Sequence, residues 1–88
     1  MQFSLSQHAQ GELQKRRIPI HILELILEYP EQILEEDGLK VYQGTFKANN
    51  DKTYLLRAYI NDLVQHNIIV TVYVTSKIKK YWRLDNGS

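Results

Sequence analysis

The feature that most constrains the fold is a β-branched segment near the carboxyl end, Ile68–Thr75. Its high strand propensity and clean alternation predict a strand that packs one face on a core. The apolar face carries Ile68, Val70, Val72 and Val74, and the other face carries Ile69, Thr71, Tyr73 and Thr75. Four cations and two adjacent aromatic residues follow directly, Lys77, Lys79, Lys80, Tyr81, Trp82 and Arg83. This composition favours binding to a polyanion with stackable bases, RNA more than DNA.

The chain contains no cysteine, which excludes disulfide scaffolds, cysteine-based zinc fingers and thiol catalysis. Its 88 residues are enough for one domain with a modest core, expected over residues 1–84, with a frayed tail at 85–88. No apolar run approaches the roughly 18 residues of a membrane span, and the start lacks a basic-then-apolar secretion signal. A cytoplasmic domain without membrane association is therefore expected.

The net charge of +1 conceals an uneven distribution of charge along the chain. Residues 1–38 hold three Lys/Arg against seven Asp/Glu, a net charge of −4. Residues 39–88 hold eight Lys/Arg against three Asp/Glu, a net charge of +5. The cationic half indicates an anionic partner on one side of the fold, although uneven scatter in a short chain gives the same numbers.

Two helices are predicted in the first third of the chain. Ser4 is suited to cap the first helix, with Gln7 three residues later as its reciprocal partner. Pro19 is placed as the first residue of the second helix. That helix should end at Pro30, because the residue before a proline avoids helical backbone angles.

After Pro30 the apolar period changes to two, which predicts strands at 32–36, 40–46, 53–60 and 68–75. Asp37-Gly38 is a hairpin signal, and the strand connections are short, so the sheet should be an antiparallel meander. The predicted fold is α+β, with two N-terminal helices packed on one face of a four-stranded antiparallel sheet, in the order ααββββ. The first strand is then an exposed edge, open to pairing with another chain.

The third predicted strand divides its side chains between the two faces of the sheet. Its apolar set, which should meet the helices, is Tyr54, Leu56, Ala58 and Ile60. The opposite, uncovered face would display Arg57, Tyr59, Thr71, Tyr73 and Thr75, and extend to Lys77. Two interpretations of that face remain open: a phosphate-binding surface, or an ordinary solvated face with cross-strand Tyr and Thr pairs. The exposed apolar position Ile69 is a candidate docking point for a protein partner.

Six segments carry a recognisable pattern over residues 3–82. They are Phe3-Ser4-x-Ser6-x-His8-Ala9, Leu13-x-x-Arg16-x-Ile18-Pro19, Pro30-Glu31-Gln32, Tyr42-Gln43, Tyr54-Leu55-Leu56-Arg57 and Val70-Thr71-Val72-Tyr73-x-Thr75-Ser76-Lys77-Ile78-x-Lys80-Tyr81-Trp82. This pattern resembles the domain of unknown function 4258 family. The order of helices and strands also resembles the BrnT-like and RelE/ParE-like toxins. The resemblance implies a small bacterial toxin, in many members a ribonuclease, held inactive by a cognate antitoxin.

Two positions depart from the family pattern. The family often has an arginine at the position of Glu12, and a glycine or asparagine at that of Arg17. Glu12 removes a cation from the first helix and puts a phosphate-binding role for that helix in doubt. Arg17 restores the charge but points elsewhere, because successive helical residues are rotated by about 100°.

A metal-independent ribonuclease needs a base for the ribose 2′-hydroxyl, cations for the phosphorane and an acid for the 5′-oxygen. The candidates for catalysis are His8, Arg57, Tyr73 and Lys77. The candidates for RNA binding are Arg16, Tyr59, Lys80, Tyr81 and Trp82. An imidazole titrates near neutral pH, which makes His8 the acid–base candidate, and His8 lies four residues before Glu12, whose carboxylate could orient the imidazole.

Other chemistries lack support in the sequence. His21 and His66 show no metal-ligand spacing with His8, and no glycine-rich phosphate loop or nucleophile elbow is present, so no metal and no cofactor is expected. Two functions from different classes therefore remain. One is a toxin-like endoribonuclease that binds RNA on the open basic sheet face, with an antitoxin and the ribosome as further partners. The other is a noncatalytic RNA-binding or partner-docking module of the same fold. The oligomeric state remains open.

Overall fold

The computed structural model describes residues 3–63 and 66–84. The chain forms an α+β structure in which helices lie against a five-stranded mixed sheet. Its elements, in chain order, are β1 Ser4–Leu5, α1 Gln7–Lys15, α2 Ile20–Glu28, β2 Gln32–Glu36, β3 Leu39–Lys47, β4 Thr53–Asn61, β5 Ile68–Thr75 and α3 Ile78–Tyr81. Within the described residues, no helix is long and apolar enough to cross a membrane. The tail expected at 85–88 lies outside the described residues.

The sheet has the strand order β1-β5-β4-β3-β2, and β1 pairs with β5 in parallel. The prediction of four antiparallel strands is therefore wrong, although strands β2 to β5 do form an antiparallel meander. Ser4 was expected to cap α1, but its backbone N–H donates to the Asn67 carbonyl at 2.9 Å as part of β1. Ser6 is the N-cap instead. Strand β1 has only two residues, which is too short for a strand pattern to be recognised in the sequence. It is identified only by its pairing with β5.

The β2–β3 hairpin follows the turn predicted at Asp37-Gly38. Both residues have positive φ values, 51° for Asp37 and 82° for Gly38. Two left-handed central residues match the twist of the flanking strands, which is why Asp-Gly pairs favour such turns. The hairpin register pairs Glu36 with Leu39 and carries on to Gln32 opposite Gln43.

The core lies between the helices and one face of the sheet. Its buried members from the sheet are Leu56, Ala58, Ile60, Ile69 and Val72, and those from the helices are Ala9, Leu13, Leu23, Ile26 and Leu27. Strict alternation predicted Ile69 on the outward face, and that prediction is wrong. Tyr59 pairs with Thr71 but Ile60 pairs with Ile69, so Val70 forms a β-bulge that turns Ile69 into the core. Ile69 is 0% exposed and cannot serve as a docking point.

Helix α1 ends in a left-handed turn at Arg17, where φ is 53°. The Arg17 N–H donates to the Gln14 carbonyl at 3.2 Å, and the Ile18 N–H donates to the Leu13 carbonyl at 2.9 Å. These two hydrogen bonds define a Schellman motif, whose left-handed position favours glycine or asparagine. The backbone at Arg17 thus has a conformation that glycine or asparagine adopts more easily than arginine.

Candidate functional site

Ser6 fixes the start of α1 beside the bulge in β5. Its Oγ accepts a hydrogen bond from the Ala9 N–H at 3.0 Å and donates to the Val70 carbonyl at 2.8 Å. One hydroxyl therefore caps the helix and satisfies a bulge carbonyl, which sets the angle between α1 and β5. Since Ala9 is buried, the preceding His8 lies at the rim of the core, next to the outward face of β5.

An open cleft of about 480 Å³ lies between α1, the outward face of β4 and β5, and α3. Its lining residues are His8, Glu12, Tyr59, Thr71, Val72, Tyr73 and Tyr81. Four of the predicted site residues therefore meet here, although they come from opposite ends of the chain: His8, Tyr59, Tyr73 and Tyr81. The cleft brings one imidazole, one carboxylate and three phenols within reach of a single bound molecule.

The surroundings of Tyr73 lower its pKa below the ordinary tyrosine value. Hydrogen bonding from Tyr81 lowers the pKa of Tyr73, and Thr75 and the positive charges of Lys80 and Arg16 lower it further against a smaller opposing effect of desolvation. The Arg16 guanidinium lies 5.5 Å from the Tyr73 ring centroid, and the Tyr81 ring meets it edge-on at 5.7 Å. A phenol surrounded in this way gives up its proton more readily than an isolated one.

Tyr59 is shifted in the opposite direction. Desolvation by burial is the largest cause that raises its pKa, and the Glu36 charge adds to it, while the Arg57 charge opposes it. The Tyr59 Oη accepts a hydrogen bond from Arg57 Nη1 at 2.8 Å. Since that N–H occupies an acceptor position, the Tyr59 hydroxyl proton remains free to donate into the cleft. The cleft thus contains two phenols whose pKa values are displaced in opposite directions, a pattern typical of acid–base sites.

Glu12 serves a different partner from the one expected. Its carboxylate accepts a hydrogen bond from Arg16 Nε at 3.0 Å, and this bond is the main reason that the pKa of Glu12 is lowered. Glu12 therefore holds Arg16 over the Tyr73 ring rather than orienting the His8 imidazole. The ion pair also neutralises a carboxylate that would otherwise repel an anionic ligand in the cleft.

Arg57 lies behind the cleft and not on an open face. Only 1% of it is exposed. Its Nε donates to Gln43 Oε1 at 2.7 Å, and its Nη2 forms an ion pair with the Glu36 carboxylate. The Arg57 guanidinium also lies 4.5 Å from the ring centroid of Tyr81, which comes from α3. The prediction of an exposed Arg57 is therefore wrong, because α3 folds back over the sheet face that was expected to be uncovered.

The segment that includes α3 is held down by a second set of hydrogen bonds. Buried Gln43 donates from Nε2 to Gln32 Oε1 at 2.8 Å and to the Tyr81 carbonyl at 3.2 Å. Gln32 in turn donates to the Arg83 carbonyl at 2.7 Å and accepts from the Arg83 N–H at 3.1 Å. These contacts form a polar network of Glu36, Arg57, Gln43 and Gln32 under the C-terminal segment.

The other predicted site residues occupy the edges of this region. Arg16 and Lys80 lie beside the cleft, with Lys80 Nζ 5.5 Å from the Tyr81 ring centroid. Lys77 is exposed at the start of α3, where its N–H donates to Thr75 Oγ1 at 3.0 Å. Trp82 is half-buried at the end of α3. Neither Lys77 nor Trp82 lines the cleft.

The sequence interpretation missed Ser6, Gln32, Glu36 and Gln43 as structural supports of the site. Arg57 in the middle of an apolar strand was a signal that a polar or anionic partner lies beside it. The partner Gln43 follows from the register, since Gln43 lies opposite Arg57 and Arg57 opposite Tyr73. Ser6 gave no such signal, because its role depends on a bulge in a distant strand.

Within residues 3–63 and 66–84, no three His, Cys, Asp or Glu side chains cluster as metal ligands. Comparisons with protein-family models, with curated proteins and with solved structures found no match to this chain. The geometry of the cleft and the chemistry of its side chains therefore carry the functional argument.

Proposed function

We propose that this protein is a metal-independent endoribonuclease of the bacterial toxin type, with its reaction centre in the cleft. The observation that supports it best is the meeting of His8 and Tyr73 in one cleft that also holds the oppositely shifted Tyr59. The resemblance to the domain of unknown function 4258 family and to the BrnT-like and RelE/ParE-like toxins agrees with this proposal.

The reaction proposed is attack of a ribose 2′-oxygen on the adjacent phosphorus. The new P–O bond forms a 2′,3′-cyclic phosphate, and the bond to the 5′-oxygen breaks. His8 accepts the 2′-hydroxyl proton, because a neutral imidazole is a competent base near pH 7. Tyr73 donates its proton to the departing 5′-oxygen, for which its lowered pKa makes it the stronger acid. Tyr59, held protonated by its raised pKa, donates a hydrogen bond to a non-bridging oxygen.

Positive charge for the phosphate comes from the rim of the cleft in this proposal. Arg16, which is paired with Glu12, lies over the Tyr73 ring, and Lys80 lies over the Tyr81 ring. Arg57 supports the site indirectly, since it fixes the Tyr59 oxygen as an acceptor and leaves the phenolic proton to the substrate. The Arg57 guanidinium covers one face of the Tyr81 ring, so in this proposal a base stacks on the other face.

The experiment is cleavage of a short single-stranded RNA by the purified protein in the presence of EDTA. We expect products that end in a 2′,3′-cyclic phosphate, and no cleavage when the attacking ribose is 2′-deoxy. His8→Gln and Tyr73→Phe should each lower the rate about 10²- to 10⁴-fold. His21→Gln and Tyr29→Phe are the matched controls, because both residues are exposed on or next to α2, away from the cleft. Equal rates for His8→Gln and His21→Gln would contradict the proposal.

The second candidate is a noncatalytic RNA-binding module of the same fold. The burial of Arg57 favours this noncatalytic candidate. Arg57 is paired with Gln43 and Glu36, so its guanidinium cannot reach a reacting phosphate. Tight RNA binding by the wild type without cleavage, weakened by Lys80→Gln and Arg16→Gln, would support this candidate. For either candidate a cognate antitoxin would act by covering the cleft. For the endoribonuclease, ribosome dependence would show as cleavage of translated messages only.

A further inference from the structure

A second groove adjoins the cleft at Arg16. It has a volume of about 380 Å³ and lies between the end of α1, the β3–β4 hairpin and the end of β5. The residues that matter for its chemistry are Arg16, Arg17, Phe46, Tyr54, Thr75 and Ser76. Arg16 belongs to both regions, since its guanidinium lies over the Tyr73 ring and it also lines the groove.

The groove lies at the basic end of the sheet. Antiparallel pairing places Lys47 opposite Thr53, and Leu55 opposite Thr75, so β3 ends, β4 begins and β5 ends at this side. The cations carried by this end of the fold are Lys15, Arg16, Arg17, Lys47, Lys52 and Lys77. The opposite end, at the β2–β3 turn and the end of β4, carries Glu35, Glu36, Asp37 and Asp62. The end that holds the groove thus carries more cations than anions, with Asp51 in its β3–β4 turn, and the opposite end carries more anions than cations, with Lys40 paired there to Glu35.

The Schellman turn brings Arg17, an exposed cation, to the wall of the groove. The backbone φ of Arg17 is 53°, and Arg17 lines this groove and also a second pocket beside Leu13 and Ile20. No ion pair among the described residues involves Arg17. A left-handed arginine costs roughly 1 kcal/mol relative to glycine, so the fold alone does not favour it here.

The floor of the groove supplies an aromatic surface. The Phe46 and Tyr54 rings lie 6.0 Å apart at an interplanar angle of 30°. Tyr54 Oη accepts a hydrogen bond from Asn50 Nδ2 at 3.1 Å, which fixes the ring. Guanidinium groups, hydroxyls and a fixed phenol on one surface are the components with which proteins bind single-stranded nucleic acid.

We infer that the RNA strand continues from the cleft past Arg16 into this groove, where Arg17 contacts a phosphate of a flanking nucleotide and Tyr54 stacks on its base. The inference rests on the proposed function, since it names the path of the same substrate. The protein then binds an extended single strand across both the cleft and the groove. A dinucleotide is long enough to fill only the cleft.

The test is fluorescence anisotropy with a labelled single-stranded RNA octanucleotide and a dinucleotide of matching central sequence. Arg17→Gly removes the cation and keeps the left-handed turn, so the variant folds. We expect it to weaken octanucleotide binding about five- to tenfold, to lower the salt slope by about 0.7, and to leave dinucleotide binding unchanged. Lys15→Gln, an equal loss of charge on exposed helix surface outside the groove, should change octanucleotide binding less than twofold.

The inference is overturned if the wild type binds the octanucleotide and the dinucleotide equally well, or if Arg17→Gly matches Lys15→Gln. In both results RNA binding or cleavage by the wild type persists, so the proposed function survives. Absence of both binding and cleavage in the wild type overturns the proposed function itself, and the inference with it.

Discussion

The guanidinium of Arg57 lies against the ring of Tyr81, 4.5 Å from its centroid, and joins the middle strand of the sheet to the C-terminal segment. The same guanidinium bonds to Gln43 and Tyr59 and pairs with Glu36. A buried guanidinium is tolerated only when its N–H groups have partners, and here four side chains surround it. Arg57 is thereby a support of the cleft and not one of its walls.

Arg57→Ala should destabilise the fold by about 2–4 kcal/mol. The substitution leaves buried Gln43 without a partner for its Oε1 and leaves a void beneath Tyr81. Thermal unfolding followed by circular dichroism measures the effect, and a fall of more than about 8 °C is expected. Lys79→Ala, on the exposed surface of α3, is the control and should stay within about 0.5 kcal/mol of the wild type. An unchanged melting temperature for Arg57→Ala would contradict the buried position.

Gln32→Ala should release the C-terminal segment from the sheet. The change removes both hydrogen bonds to the Arg83 backbone and the acceptor of Gln43 Nε2. We expect faster tryptic cleavage at Lys80 and Arg83, read by mass spectrometry under native conditions. Gln10→Ala, which removes one exposed hydrogen bond on α1, is the matched control and should leave cleavage at these two sites unchanged.

The midpoint of the Tyr73 titration should lie below the ordinary tyrosine pKa of 10.0, and the midpoint of the Tyr59 titration should lie above it. Absorbance at the tyrosinate band should therefore rise in separate steps, and Tyr73→Phe should remove the earliest one. Because folding lowers the pKa of Tyr73, its ionisation favours the folded state above pH 10, and that contribution disappears as pH falls through the folded pKa. Tyr59 behaves oppositely, and its contribution is lost as pH rises through its raised pKa. A first step that persists in Tyr73→Phe would contradict this assignment.

Arg17→Gly should stabilise the protein by about 1 kcal/mol, because glycine adopts the left-handed backbone at φ 53° without steric cost. Urea denaturation at neutral pH measures the difference in the free energy of unfolding. Lys15→Gly places glycine two residues earlier, at the last residue of α1, and should destabilise by about 1 kcal/mol. If both substitutions changed the free energy of unfolding in the same direction, the left-handed turn at Arg17 would not be the cause of the stabilisation.

Expression of the wild type from a tightly controlled promoter should arrest bacterial growth if the toxin proposal holds. Because His8 and Tyr73 meet in the cleft, His8→Gln and Tyr73→Phe should each restore growth at equal protein levels. His21→Gln should remain toxic. Growth that is unaffected by a folded, well-expressed wild type would favour the noncatalytic RNA-binding module.

Local patterns in the sequence determined most of the elements. The β-branched run predicted β5, Asp37-Gly38 predicted the hairpin, and Pro30 predicted the end of α2. These signals are local, since strand period, turn chemistry and the steric effect of proline act over a few residues. The same patterns also assigned Leu56, Ala58, Ile60 and Val72 to the core face of the sheet.

Only the tertiary structure decided which side chains form the cleft and which are enclosed behind it. The bulge at Val70 turned Ile69 into the core, and β1 formed because β5 offered a free edge. The C-terminal segment covered Arg57, since Gln32 and Gln43 bind its backbone from distant strands. Each of these outcomes depends on pairing between residues far apart in the chain, whose geometry no local period encodes. The sequence alone thus determined strands β2 to β5 and the Asp37-Gly38 turn, and it provided His8, Tyr59 and Tyr73. Long-range packing decided where these three side chains meet.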